Sequence, residues 1–188
     1  VWAFEPTPES YKAIQQRFAD NSNVRCMQLA LSDESGLDRM MLTSATGGTN
    51  TLSYDDALLD QAACVAEIRK TTAADFCLAH RIDRVHFLKC DTEGHDLRVI
   101  EGARSLLEAE RIDILQFEYN HRWIYSRSFL KDVFDIVAKL PYTIAAVRPS
   151  RIELFKTWHP ELDRFFEANY LLVHERALCW FDTLDGNF

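Results

Sequence analysis

The sequence predicts one mixed α/β domain over residues 1–188, with a mostly parallel sheet, helices on both faces and an antiparallel pair of strands at one edge. Three observations predict it. Short apolar runs rich in strand formers alternate with amphipathic stretches of helical period. The last two runs follow one another without an amphipathic helix between them, as an antiparallel pair allows. Finally, 188 residues that are 47% hydrophobic, 27% charged and 12% aromatic match an ordinary globular domain. A chain of this length buries roughly 70% of its unfolded surface, enough for a core without disulfides or metals.

Val1-Trp2-Ala3-Phe4 reads as a strand, stopped by Glu5-Pro6-Thr7-Pro8. Pro8 suits a first helical position with Thr7 as cap, and Tyr11, Ile14 and Phe18 then recur on one face through about Asp20. Val24 to Leu31 reads as the next strand, ending at Ser32-Asp33. Residues 40 to 71, with the glycine-bearing stretch Thr46-Gly47-Gly48-Thr49-Asn50, show no clear period. Thr72 caps a helix over Ala73 to His80, and Val85 to Cys90 forms a third strand ending at Asp91. A helix from about Asp96 to Glu110 carries Leu97, Ile100, Ala103 and Leu107 on one stripe. Ile112 to Phe117 is the fourth strand, ending at Glu118. A helix over Phe129 to Leu140 is stopped by Pro141, before the closing strands Tyr142 to Val147 and Tyr170 to Val173.

Charge and composition exclude several classes of function. Twenty-one basic residues stand against 29 acidic ones, a formal charge of -8, and no basic stripe is present. Nucleic acid is therefore not an expected partner, because phosphate backbones are bound by clustered positive charge. No apolar run approaches the about 20 residues that span a bilayer, and no signal-peptide pattern opens the chain, so no membrane partner is expected. Five cysteines, odd in number and without a Cys-x-x-Cys pair, speak against a disulfide framework or a zinc site and for a reducing, cytoplasmic compartment. The sequence opens at Val1 inside an apolar run, and the chain is expected to continue a longer one.

Ligands of open parallel sheets bind beyond the carboxyl ends of the strands. Four of those ends carry acids: Glu5, Asp33, the pair Asp91 and Glu93, and Glu118. An acid at a strand end can accept both hydroxyl hydrogens of a ribose, which makes Glu5 a cofactor candidate; alternatively Glu5 favours the positive end of the helix that follows it. Asp91-Thr92-Glu93-Gly94-His95-Asp96 is the densest polar cluster. It places a histidine, whose ordinary pKa lies near neutrality, at the mouth of the cleft. Helix capping by Glu93 or Asp96 is the plainer alternative. Asp91, Glu93, His95 and Glu118 are also residue types that bind magnesium or manganese, but their spacing is not diagnostic and no metal is expected. Trp123 and Tyr125 either wall a substrate pocket or cover the core edge.

Ala3-Phe4-Glu5-Pro6-Thr7-Pro8, Ala30-Leu31-Ser32-Asp33 with Gly36, Leu88 to Asp96 followed by Glu101-Gly102-Ala103, Gln116-Phe117-Glu118-Tyr119 and Asn169 to Val173 resemble, in order and spacing, the FkbM family of S-adenosylmethionine-dependent methyltransferases. The resemblance implies a class I methyltransferase-like, Rossmann-like fold whose first strand and glycine-rich loop are missing from this chain. It implies S-adenosylmethionine as cofactor, with Glu5 on its ribose, Leu31 and Ser32 against its adenine, and Asp91 near its methionine end. It implies O-methylation of a small-molecule hydroxyl, as on a sugar or natural product, with Glu93, His95 and Glu118 binding or deprotonating the acceptor. Thr49-Asn50-Thr51-Leu52, after Gly47-Gly48, is similar to the family's glycine-containing loop over the site. The rival expectation is a non-catalytic α/β interaction module of a longer protein. A nicotinamide dehydrogenase ranks last, because it leaves the cluster from Asp91 to His95 without a use.

Overall fold

The computed structural model describes residues 1–42, 50–52 and 64–186. Eleven described strands fall into three sheets. In the first, β1 (Trp2–Phe4) lies parallel to β2 (Arg25–Met27), joined by helix α1 (Pro8–Arg17). Pro8 opens α1 directly after Thr7, as its missing N–H allows, yet no α1 residue is buried. The face formed by Tyr11, Ile14 and Phe18 is only partly covered.

A second sheet of three strands holds β3 (Ala30–Leu31), β4 (Gly36–Leu42) and β5 (Cys64–Thr71). β5 is parallel to β3 and antiparallel to β4. The single strand expected over Val24 to Leu31 is thus two short strands that pair in different sheets, and β4 and β5 occupy a stretch whose sequence shows no clear period.

The third sheet has six strands in the order β11, β9, β8, β10, β7, β6. They are β6 (Val85–Lys89), β7 (Ile112–Tyr119), β8 (Tyr142–Arg148), β9 (Arg151–Phe155), β10 (Ala168–His174) and β11 (Thr183–Asp185). The expectation of a mostly parallel sheet does not hold. β6 with β7 and β9 with β11 are parallel, whereas β7, β10, β8 and β9 succeed one another antiparallel. The closing strands do pair antiparallel, but β10 inserts between β7 and β8 rather than lying at an edge.

Helices α2 (Ala73–Ala79), α3 (Asp96–Gly102), α4 (Arg104–Glu108) and α5 (Leu130–Val137) all contribute to the larger core, against Leu115, Phe117 and Leu172. Side chains alternate across a strand, so Ile114 and Leu171 join a smaller cluster with Ala177 and Phe181, capped by a 3-10 turn over Glu175–Trp180. Of the helical elements only this 3-10 turn, and no described α-helix, contributes to that second cluster, which departs from helices on both faces. The helix expected over Asp96 to Glu110 breaks at Ala103, where α3 ends and α4 begins. Gly102 explains the close fit there: a Cβ on it would overlap the Ser32 carbonyl oxygen.

Neither β1 nor β6 has a second ladder partner among the described residues. Trp2 and Phe4 face Val85, Phe87 and Leu88 across an apolar cavity of about 490 Å³.

Candidate functional site

A second cavity, of about 400 Å³, opens beyond the ends of β1, β3 and β6. Its wall draws on all three sheets: Phe4 and Glu5 from the first, Leu31 and Met40 from the second, and Lys89 from the third, followed by Asp91, Thr92, Glu93 and His95. Sites of a few hundred cubic ångströms with an apolar lining and a few convergent polar groups are where small ligands bind. Five residues expected from the sequence, Glu5, Leu31, Asp91, Glu93 and His95, line this one cavity.

Glu5 continues the first ladder, its N–H donating to the Met27 carbonyl at 3.0 Å. Oε1 of its carboxylate accepts from the Thr7 N–H at 2.8 Å and the Thr7 hydroxyl at 2.7 Å. That bond pair fixes the carboxylate at the start of α1 while it still faces the cavity. Leu31 supplies apolar wall. Ser32 is not brought to the cavity: it is fully buried, its hydroxyl donating to Asp33 Oδ1 at 2.9 Å and meeting His95 Nε2 at 2.9 Å.

The polar cluster is a tight turn between β6 and α3. Glu93 (φ 56°) and Gly94 (φ 95°) both take left-handed conformations. Only Gly94 is an easy choice there, and a Cβ on it would also lie 2.8 Å from Arg122 Cβ. Glu93 adopts a conformation that costs a non-glycine residue on the order of 1 kcal/mol, the kind of strain found at binding sites. The turn is held from outside: Thr51 Oγ1 donates to the Glu93 carbonyl at 2.8 Å, and Arg122 Nε pairs with Glu93 Oε2 at 2.8 Å. Gly47, Gly48 and Thr49 of the expected loop lie outside the described residues, whereas Asn50 and Leu52 line the cavity.

Asp91 is half-exposed and takes a 2.8 Å bond from Lys89 Nζ. Glu118 stands at the end of β7, where Asn120 Nδ2 donates to its Oε2 at 2.8 Å. It does not line the cavity, but its charge reaches it. Burial, reinforced by the neighbouring charges of Asp91, Glu167 and Glu93, raises the Glu118 carboxyl above its ordinary pKa. Burial also raises Glu93, with Arg122 opposing and Asp91 and Glu167 adding to the shift.

Burial acts on His95 in the other direction and lowers it to about 4; Asp33 opposes, while Lys70 and Arg98 add to the lowering. With Nε2 engaged by Ser32, this ring is neutral at physiological pH and a weaker proton acceptor than the two glutamates. The order of the chain from His95 through Ser32 to Asp33 also differs from a nucleophile triad, since the acid meets the serine and not the histidine.

Two further placements differ from a pocket-wall role. Trp123 is fully buried, with Nε1 donating to the Glu118 carbonyl at 2.9 Å, so it covers core. Tyr125 is partly exposed and does not line the cavity. Three residues hold the turn in ways the sequence does not show: Thr51, named there only within a loop similar to the family's, Asp96, offered there only as a helix cap, and Arg122, which leaves no signal. Among the described residues, no group of three or more His, Cys, Asp and Glu side chains is placed to hold a metal ion.

The model of the methyltransferase FkbM domain matches residues 1–170. Among solved structures, a methyltransferase FkbM from Methylobacillus flagellatus KT superposes with a TM-score of 0.50 at 18% identity. The superposition covers 91% of this chain and 36% of that one, so this chain spans little more than a third of its length. No curated protein matches the chain.

Proposed function

The chain belongs to the FkbM methyltransferase family, and from that premise we propose that it transfers a methyl group from S-adenosylmethionine to a hydroxyl oxygen of a small molecule such as a sugar. The observation that carries this reading is the cavity into which three separate sheets bring Glu5, Leu31, Asp91 and Glu93.

The donor set suits the cofactor. Glu5 offers an acceptor at a strand end for ribose hydroxyls, Leu31 and Met40 offer apolar surface for a flat base, and Asp91 offers negative charge toward a sulfonium. When bound, the sulfonium supplies an already activated methyl group. The chain's own residues then have three tasks. The walls of the cavity hold the acceptor oxygen in line with the methyl carbon and keep water out. Lys89, bonded to Asp91, fixes that carboxylate beside the site. Glu93, in the cavity wall, receives the proton, because burial and the charges of Asp91 and Glu167 have raised its affinity for it, and Glu118, outside the wall, adds negative charge beside it. Methyl transfer to a hydroxyl would exchange a sulfur–carbon bond for an oxygen–carbon bond and free one proton, which the raised Glu93 carboxylate would hold. His95, neutral and bound to Ser32, takes part by shaping the wall.

Cys26, Cys77, Cys90 and Cys179 are free thiols, which supports a reducing, cytoplasmic compartment. The acidic balance supports a small-molecule acceptor over nucleic acid. Calorimetry with S-adenosylmethionine tests the proposal. Saturable binding is expected, and Glu5→Ala should weaken it at least about tenfold, since loss of a hydrogen-bonded charge costs roughly 1.5 to 3 kcal/mol. A folded protein that does not bind the cofactor would replace this proposal with that of a non-catalytic interaction module.

A further inference from the structure

Beyond the last ladder contact of β6 with β7, where the Cys90 N–H donates to the Gln116 carbonyl at 2.9 Å, no ladder bond is left to hold the two acid-bearing loops together. Asp96 bridges them. Its Oδ2 accepts from the Thr92 hydroxyl at 2.9 Å and the Thr92 N–H at 3.3 Å, while Oδ1 accepts from the Glu118 N–H at 3.2 Å. One carboxylate therefore fastens the turn that carries Asp91 and Glu93 to the strand end that carries Glu118.

This is not helix capping. The cap position of α3 is His95, and the bonds of Asp96 run to two segments outside its own helix. Asp96 is fully buried, and no cation lies within ion-pair distance of it among the described residues. Cys90 and Asp91 face it from the end of β6 and Glu118 from the end of β7, and the Asp91 charge disfavours its ionisation. Burial accordingly raises its pKa to about 6 against three hydrogen bonds that favour the charged form. A carboxylate kept there at neutral pH lowers stability, which is the pattern of a group retained for what it positions.

We propose that Asp96 is the positioning residue of the site, its carboxylate setting the distance between the acids of the β6 turn and Glu118. The proposal rests on the methyltransferase reading. Asp96→Asn keeps the shape but turns an amide N–H₂ toward donors, so it cannot accept all three bonds. Expected is a variant that melts at about the wild-type temperature yet binds S-adenosylmethionine roughly tenfold more weakly at neutral pH. In wild type, affinity should fall as the pH drops through about 6, and the part of that fall due to Asp96 should vanish in Asp96→Asn. Equal affinity in the two proteins overturns the proposal, as does a loss of affinity accompanied by a parallel loss of thermal stability. Should Asp96→Asn fail to fold, Thr92→Val removes only one donor and keeps the carboxylate; a several-fold loss is expected, and unchanged affinity overturns the proposal. If wild type itself does not bind, the methyltransferase reading fails and the positioning role is decided without ligand. NMR titration of the Glu93 and Glu118 carboxyls should then differ between Thr92→Val and wild type, and identical curves overturn it.

Discussion

His95 and Asp96 are neighbours in sequence, both buried, and burial moves their proton affinities in opposite directions. His95 falls from 6.5 to about 4, so its contribution to stability is fully present above 6.5 and is lost as the pH falls through about 4. Asp96 rises from 3.8 to about 6, so its contribution is fully present below 3.8 and is lost as the pH rises through about 6. Each shift corresponds to on the order of 3 kcal/mol at 1.36 kcal/mol per pH unit. Between pH 6 and 4 the two oppose each other, and acidification should leave wild type nearly level. His95→Gln removes one of them, and urea unfolding should then show stability increasing by roughly 2 kcal/mol as the pH falls across that window. Single residues were legible where chemistry needs a strand end. Glu5, Asp91 and Glu93 could be placed at the cleft because charged side chains at carboxyl edges have few structural uses. Ser32, Trp123 and Asp96 could not, since what decides their roles is a partner 63, 5 or 22 residues away.

Among the elements, α3 packs closely on its neighbour, with Gly102 against the Ser32 carbonyl just beyond β3. Gly102→Ala must push helix and strand apart, and chemical denaturation should show a loss of about 2 to 3 kcal/mol, the range of overpacked cores. Helix positions were legible from their stripes and stop signals, as with Pro141 after α5. Strands were less so. The apolar pattern over Val24 to Leu31 says that the chain is extended, and nothing in it says that Arg25–Met27 and Ala30–Leu31 pair in different sheets. β9 has no expected counterpart: the expected strand ends at Val147, and the run Arg151-Ile152-Glu153-Leu154-Phe155, two residues beyond β8, mixes charged with apolar residues. β4 pairs with β5 across residues that carry no period of their own.

For the whole molecule, alternation of strand and helix implied parallel pairing, but it cannot fix where the final strands enter. β10 sits between β7 and β8, a long-range choice made by packing of Tyr170 and Leu172 into the main core. On the other face of that sheet Phe87, Val147 and Trp180 are exposed, Phe87 on β6, whose outer edge has no ladder partner among the described residues. Apolar side chains on an open edge favour pairing between molecules. Phe87→Lys should therefore lower concentration-dependent association, measured by light scattering, without altering cofactor affinity. The cavity has a different consequence. Its walls belong to three sheets that share no ladder with one another among the described residues; the smaller two are held to the main body by Trp2 and Phe4 against Phe76 and by bonds of Ser32, Asp33 and Thr51 to His95, Arg98 and Glu93. Any molecule lodged there acts as mortar between separate blocks of masonry. Such a ligand would add to the cohesion of the amino-terminal half, and the amount of intact protein in a cell would follow the supply of that metabolite as well as the rate of synthesis.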